Sequence, residues 1–333
     1  MLLTAFGLSA QTTNFGTGSG TLGNGSTYVG VNTGGSATAA TINNSFYGQD
    51  SGRSTTTGRS NSFFGNNSGL YNVTGELNCY FGVASGAKAG SSNRNSFFGS
   101  SSGVYSTNTE DNTFIGYSAG IYNVGSYNTF IGSDAGKGLS NNQSPGKLNS
   151  FLGSSSGHKN QGVANTLLGA YSGYNNITGQ SNVFIGYAAG YNELGNNKLY
   201  IDNSTTPTPL IYGDFSSNKV GINTNQLPNS VGGANTSAYG LYVKGGILTE
   251  EVRVRTGWAD YVFAKDYHLT PINEVETFIK ENGHLPNVPS AAQVENEGIE
   301  LGDIARIQQE KIEELTLYII KLQKQLNLSL IHI

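Results

Sequence analysis

The sequence predicts a mainly β fold: a β-solenoid (β-roll) of about 17-residue coils, then a short β shaft and a C-terminal helical module with a coiled coil. Three observations predict it. A nine-residue motif recurs at near-constant spacing. The repeat region is built from Gly, Asn, Ser, Thr and aromatic residues with very little charge: residues 1–190 hold 12 charged side chains, against 22 among the 77 residues 250–326. The charge returns together with a 4,3 spacing of apolar residues, which is the heptad signature of a coiled coil.

The chain opens on MLLTAFGLSAQ, an apolar run too short to span a bilayer. It reads as a signal peptide over 1–11 that has lost its basic start, the alternative being a buried first strand. No later stretch is long and apolar enough for a transmembrane helix.

The motif Asn-[Ser/Thr]-aromatic-apolar-Gly-x-x-small-Gly occupies 26–190. It appears as NSFYGQDSG from Asn44, NSFFGNNSG from Asn61, NCYFGVASG from Asn78, NSFFGSSSG from Asn95, NTFIGYSAG from Asn112 and NTFIGSDAG from Asn128. NSFLGSSSG from Asn149, NTLLGAYSG from Asn165 and NVFIGYAAG from Asn182 continue it, and STYVGVNTG around Gly30 is a degenerate earlier copy. The first glycines are Gly48, Gly65, Gly82, Gly99, Gly116, Gly132, Gly153, Gly169 and Gly186, spaced 17, 17, 17, 17, 16, 21, 16 and 17. Helical repeats need about 33–47 residues and better helix formers. The remaining geometry is one coil per repeat, expected as two short strands and two turns. Glycines would sit at positive φ or where coils approach closely, and stacked Asn would form an amide ladder. The spacing of 21 puts extra residues, around Asn141–Lys147, in a surface bulge. Each motif carries two adjacent apolar residues, and neighbours on a strand point to opposite faces. One should be buried and the other should form an apolar stripe along the coils, unless a tight turn brings both inward.

Over 191–256 the repeat stops. Strands are expected at Lys198–Asp202, Pro209–Phe215, Lys219–Asn223, Gly240–Val243 and Glu250–Arg255, as a β shaft or a small independent β domain. Over 257–300 a terminal module follows. Ile272, Val275 and Ile279 share one helical face between Pro271 and Gly283, and Ser290 with Gln293 reads as a capping box. Trp258 is expected as a packing anchor. From Leu301 to residue 327 the heptad core reads Leu301, Ala305, Gln308, Ile312, Leu315, Ile319, Leu322 and Leu326. Ile at a with Leu at d suits a dimer, whereas Ile304, Ile307 and Tyr318 widen the apolar face towards a trimer or towards packing on the chain's own module. The last six residues, LSLIHI, abandon this pattern and match the translation of a common transposon-derived sequencing adapter. Residues 328–333 are therefore read as a non-native tail.

The repeat N-[ST]-F-[IF]-G-x-x-[AS]-G resembles the head repeats of trimeric autotransporter adhesins, parallel β-rolls packed as three chains. It resembles still more closely the Gly/Asn-rich, tail-fibre-like repeat proteins of Bacteroidota. NKLYIDN, PLIYGDF, KVGINT and GLYVKGGI resemble the segment that forms an intertwined trimeric shaft in phage and bacterial fibre proteins, and Trp258–Leu326 resembles the terminal module of Bacteroidota fibre-like proteins. The resemblance implies a homotrimer registered by the heptad helix. In a related position, phage tailspikes carry a self-cleaving chaperone with a Ser–Lys dyad. Here the strand reads Thr249-Glu250-Glu251-Val252-Arg253-Val254-Arg255, with neither residue, so self-cleavage is not expected.

Other chemistry is excluded by composition. Net charge is −4, which gives no electrostatic support for a nucleic-acid partner. One cysteine, Cys79, excludes an intrachain disulfide and cysteine-based zinc sites. His268 and His284 are expected as ordinary packing or surface residues. No nucleotide-binding glycine motif is placed between a strand and a helix, and the repeats are too poor in acids for a glycosidase or a calcium β-roll. No cofactor, metal or catalytic site is expected. The functional expectation is a non-enzymatic fibrous structural or adhesion protein at the cell surface or outside the cell, contacting a receptor or glycan. The alternative is a receptor-binding tail fibre of a phage or contractile injection particle.

Overall fold

The computed structural model describes residues 12–139 and 146–331. The expected signal peptide, most of the Asn141–Lys147 bulge and the last two residues lie outside them. The chain divides into two units, one running to Leu227 and including 240–245, the other formed by 228–239 and 246–331.

The first unit is a β-solenoid with about 17 residues per coil. Each coil contributes one three-residue strand to a parallel ladder that begins at Thr13–Phe15 and passes through Thr113–Ile115 to Val183–Ile185. The register is strict: Phe97 pairs with Phe114, Phe114 with Phe130 and Phe130 with Phe151. The middle residue of each strand points inward. Tyr28, Phe46, Phe63, Tyr80, Phe97, Phe114, Phe130, Phe151, Leu167 and Phe184 are all at most 2% exposed. From Phe46 to Phe151 their rings stack face to face 4.7–4.9 Å apart, which is the spacing of neighbouring strands. Leu167 interrupts the stack between Phe151 and Phe184.

The expectation of two strands per coil is corrected to one. Each coil turns through residues with positive φ, and these break any second extended run. In the coil from Asn112, Gly116 (φ 137°), Ser118 (φ 54°), Gly120 (φ 60°) and Tyr127 (φ 63°) are such corners. A Cβ on Gly116 would lie 2.5 Å from Gly132 O of the next coil, and one on Gly120 would lie 2.4 Å from the Phe114 ring. These two glycines set how closely coil meets coil and wall meets core. Coils are then joined all round by backbone bonds such as Gly132 N to Ile115 O at 2.8 Å.

The asparagine before each strand is buried, and its amide is saturated. Asn112 Nδ2 donates to Asn95 Oδ1 (3.1 Å) and to Gly125 O (3.0 Å). Asn112 Oδ1 in turn accepts from the backbone of Asn128 at 2.9 Å. The same pattern links Asn44, Asn61, Asn78 and Asn95. A polar side chain with every partner supplied can be buried without the desolvation cost of an unpaired one.

The ladder is longer at both ends than 26–190. Lys198–Ile201 still pairs in parallel with Val183–Ile185, and Ile211–Asp214 and Lys219–Ile222 then turn antiparallel. Leu241–Val243 closes the sheet in parallel with Lys219–Ile222. Four of the five strands expected over 191–256 thus belong to this sheet. The fifth, Glu250–Arg255, does not form a strand and pairs with none of the described residues.

The second unit carries a hairpin (Ser230–Val231 with Ala234–Asn235), a 3₁₀ turn at Asp260–Phe263 and three helices. They are α1 (Ile272–Asn282), α2 (Ala291–Glu297) and α3 (Leu301–Ile331). α1 starts after Pro271 and is closed by Gly283 at φ 76°. α2 has the expected capping box, Ser290 with Gln293. α3 is tied to the preceding chain by polar contacts. Tyr261 donates to the buried Glu310, Tyr267 to Glu314, and Lys311 bridges Glu310 and Glu314 at 2.9 and 2.8 Å. Burial pushes the Glu310 carboxyl up, but the bonds from Tyr261, Lys311 and Asn287 outweigh it and hold the group ionised. Trp258 is not the anchor: it is 56% exposed, and Ala259 and Val262 are buried in its stead.

Candidate interaction surface

On every repeat strand the first and third residues point outward. The first forms a Ser/Thr rank in which Cys79 takes one place, half-buried, its thiol pushed up by burial. The third forms a line of Tyr47, Phe64, Phe81, Phe98, Ile115, Ile131, Leu152, Leu168 and Ile185. These side chains are half-buried to exposed, Phe81 and Leu152 at 47%. Tyr47, Phe64 and Phe81 stack 4.6–4.7 Å apart, so the apolar line is continuous. A tight turn that hides both apolar residues of the motif is ruled out.

A second surface lies at the corner after the motif. Tyr105 and Tyr122 stack at 5.1 Å with Lys88 over Tyr105. Further along, His158, Tyr174 and Tyr191 stack at 4.6 and 5.1 Å. Lys159 Nζ donates to Asn175 Oδ1, and Asn175 Nδ2 to Asn192 Oδ1, both at 2.8 Å. Tyr187, 57% exposed, lies edge-on to Tyr171. Burial and the neighbouring Lys137 charge lower the pKa of the His158 ring, which favours its neutral form. The sequence reading did not single out this surface, although Tyr105, Tyr122, His158, Tyr174 and Tyr191 all closely follow the second glycine of their motifs, with Tyr171 and Tyr187 between the two glycines of theirs.

The predicted site residues separate into two sets. Asn44, Asn61, Asn95, Asn112 and Asn128, with Gly48, Gly65, Gly82, Gly99, Gly116, Gly132, Gly153, Gly169 and Gly186, stand in register along the coils. The heptad residues lie on one face of α3, and among the described residues most of them stay open to solvent. Leu301, Ile312, Leu315, Ile319, Leu322 and Leu326 are each more than half exposed, Gln308 is exposed and Ala305 half-buried. The face of α3 that packs on its own unit is a different one, with Gly302, Glu310 and Glu313 buried.

Among the described residues no group of three or more His, Cys, Asp or Glu is placed to hold a metal, and no helix is long and apolar enough to cross a membrane. The acids of the repeat surface are engaged in ion pairs, as when Arg94 joins Glu110 (2.6 Å) and Asp111 (2.8 Å). No family model matches the chain, and no curated protein or solved structure matches it.

Proposed function

We propose that the protein is a non-enzymatic fibrous structural or adhesion protein, extracellular or at the cell surface. It assembles with copies of itself and presents a repetitive solenoid wall. The observation that carries this reading is the exposed apolar line from Tyr47 to Ile185 on a rigid, regular face. Soluble monomers rarely expose apolar patches above a few hundred Å². A second copy presents a line of the same length, period and chemistry. The exposed heptad face of α3 supplies a unique element that fixes alignment, which a repeat surface cannot do because a slip by one coil superimposes near-identical residues. Three copies is the number implied by the resemblance to adhesin heads and fibre proteins. In such an assembly the unpaired run Glu250–Arg255 would find strands in its neighbours and form the shaft. The Tyr/His/Asn corner offers aromatic rings with amide groups to a receptor or glycan.

Light scattering on the intact chain and on an Ile312→Asp/Ile319→Asp variant tests the reading. A trimeric mass is expected for the first, and monomers or aggregates for the second. A soluble monomeric intact chain would overturn the assembly, and an unchanged trimeric variant would remove the registering role of α3.

A further inference from the structure

The second unit holds an apolar groove of about 380 Å³ between α1 and α3. Its walls are Ile272, Val275 and Ile279 on one side and Ile312, Leu315 and Tyr318 on the other. We propose that this groove seats helix α3 of a second copy, so that α1 is part of the assembly interface and not only a decoration of the module. The inference rests on the self-assembly reading above and extends it to an element outside the heptad.

The first argument is the state of α1. It has 11 residues, none of them buried, and its apolar residues fall on one face, with Ile272 63% and Ile279 41% exposed. A helix shorter than about 12–15 residues is marginal in water without tertiary packing. The groove is where that packing is missing. The second argument is chemical. The polar groups around the groove already have partners: Lys311 with Glu310 and Glu314, Asn287 with Glu310, and Tyr318 with Thr270 O. Small-molecule sites carry a few placed polar groups that orient the ligand. This groove is left with carbon, and that suits an apolar stripe.

Length decides the occupant. Ile312 and Leu315 belong to the groove and to the heptad face at once. That face continues past the groove through Ile319, Leu322 and Leu326, each more than half exposed. From Ile312 to Leu326 the stripe runs about 21 Å along the helix. An occupant that covers the groove and the stripe together is an amphipathic helix of that reach. α3 of a second copy has the reach, the period and the residues, and it would cover its partner's stripe while its own is covered.

Two variants of the full chain separate this inference from the reading beneath it. Val275→Asp/Ile279→Asp alters α1 alone, Ile319→Asp/Leu322→Asp alters the heptad beyond the groove, and Glu276→Ala on α1 serves as a control outside the groove. Mass is followed by light scattering on dilution. The α1 variant should dissociate at a protein concentration at least about tenfold higher than the intact chain, a loss of about 1.4 kcal/mol, and the control should not. If the heptad variant falls apart and the α1 variant dissociates like the intact chain, the groove is not in the interface although the helices associate. If neither variant changes, the groove is not in the interface and α3 loses its registering role as well. Should the α1 variant not fold, hydrogen exchange on the intact chain decides. Amides of 275–282 should be protected in the assembled protein and lose protection on dilution, and equal exchange in both states would overturn the proposal.

Discussion

In the solenoid unit a buried asparagine finds its partners one coil away, whereas in the helical unit the isoleucines of α1 and most leucines and isoleucines of α3 face solvent. The first unit closes its accounts internally: amide ladder, ring stack and backbone bonds all run from each coil to the next. The second is held to its own chain by polar contacts, Tyr261 and Lys311 to Glu310 among them, and leaves its apolar faces open. The lesson is that a chain can divide labour. One unit saturates its interior within itself and leaves a single apolar line outside, and the other leaves most of the apolar surface of its helices open.

Adjacent residues on a single strand give the sharpest way to break this comparison. Tyr80 is fully buried and Phe81 is 47% exposed. Tyr80→Ala should cost about 3–5 kcal/mol of folding stability in chemical denaturation followed by circular dichroism. Phe81→Ser should leave folding within about 0.5 kcal/mol once the protein is dissociated, and weaken association instead. Equal effects of the two would dissolve the distinction between core and stripe.

The amide ladder comes next in size. Asn112→Ala removes both Nδ2 donors and the Oδ1 acceptor, leaving Gly125 O and the Asn128 backbone amide each short of a buried partner, while Asn95 Oδ1 keeps only the bond from the backbone amide at 112. The expected cost is about 1–3 kcal/mol. Gln49→Ala, at an exposed turn of the same unit, should change stability by less than about 0.5 kcal/mol in the same titration. An equal loss at the two sites would mean the ladder contributes nothing of its own.

The smallest effect is expected where the sheet turns antiparallel. Lys198 and Asp214 face each other at 2.9 Å. Burial pushes the Asp214 carboxyl up, but bonds from Ser216 and Lys198 outweigh it and hold the group at about 2. Burial pulls the Lys198 amine down, but its bond to Asp214 raises it overall. A depressed carboxylate contributes stability above its unfolded value of about 4, and that contribution is lost as pH falls towards 2. The raised amine contributes below its unfolded value and loses that contribution in strong alkali. Asp214→Asn should therefore lower stability at pH 7 by about 1 kcal/mol or less, and by less than half as much at pH 2, where the carboxyl is about half protonated, read from thermal melts at the two pH values.

The solenoid was legible because its signal is periodic. Nine glycines at near-constant spacing fix the coil, and an aromatic next to an apolar residue fixes one inward and one outward direction. What the repeat could not disclose was the number of strands per coil. That depends on left-handed corners occupied by Ser118, Tyr127 and Leu148, which carry no glycine-like mark, although Asn and Asp at Asn32, Asp50 and Asp111 hint at them. The start and end of the ladder were missed for a related reason: Thr13–Phe15 and Lys198–Ile201 pair in register without the full motif. In the helical unit caps and heptads were legible. The groove was not, because it depends on where α1 lies beside α3, and no local pattern encodes that.

Leu167 replaces a ring in the buried stack, and this has a mechanical consequence. A pull along the stacking direction is carried in series, so every plane between coils bears the full tension and the weakest plane sets the strength of the whole. The planes on either side of Leu167 keep their backbone bonds to Phe151 and Phe184 but lack the face-to-face ring contact of the coils from Phe46 to Phe151. One aliphatic side chain among aromatic neighbours thereby shifts the load at these two planes outward, onto the ladder bonds and the stacked rings of His158, Tyr174 and Tyr191.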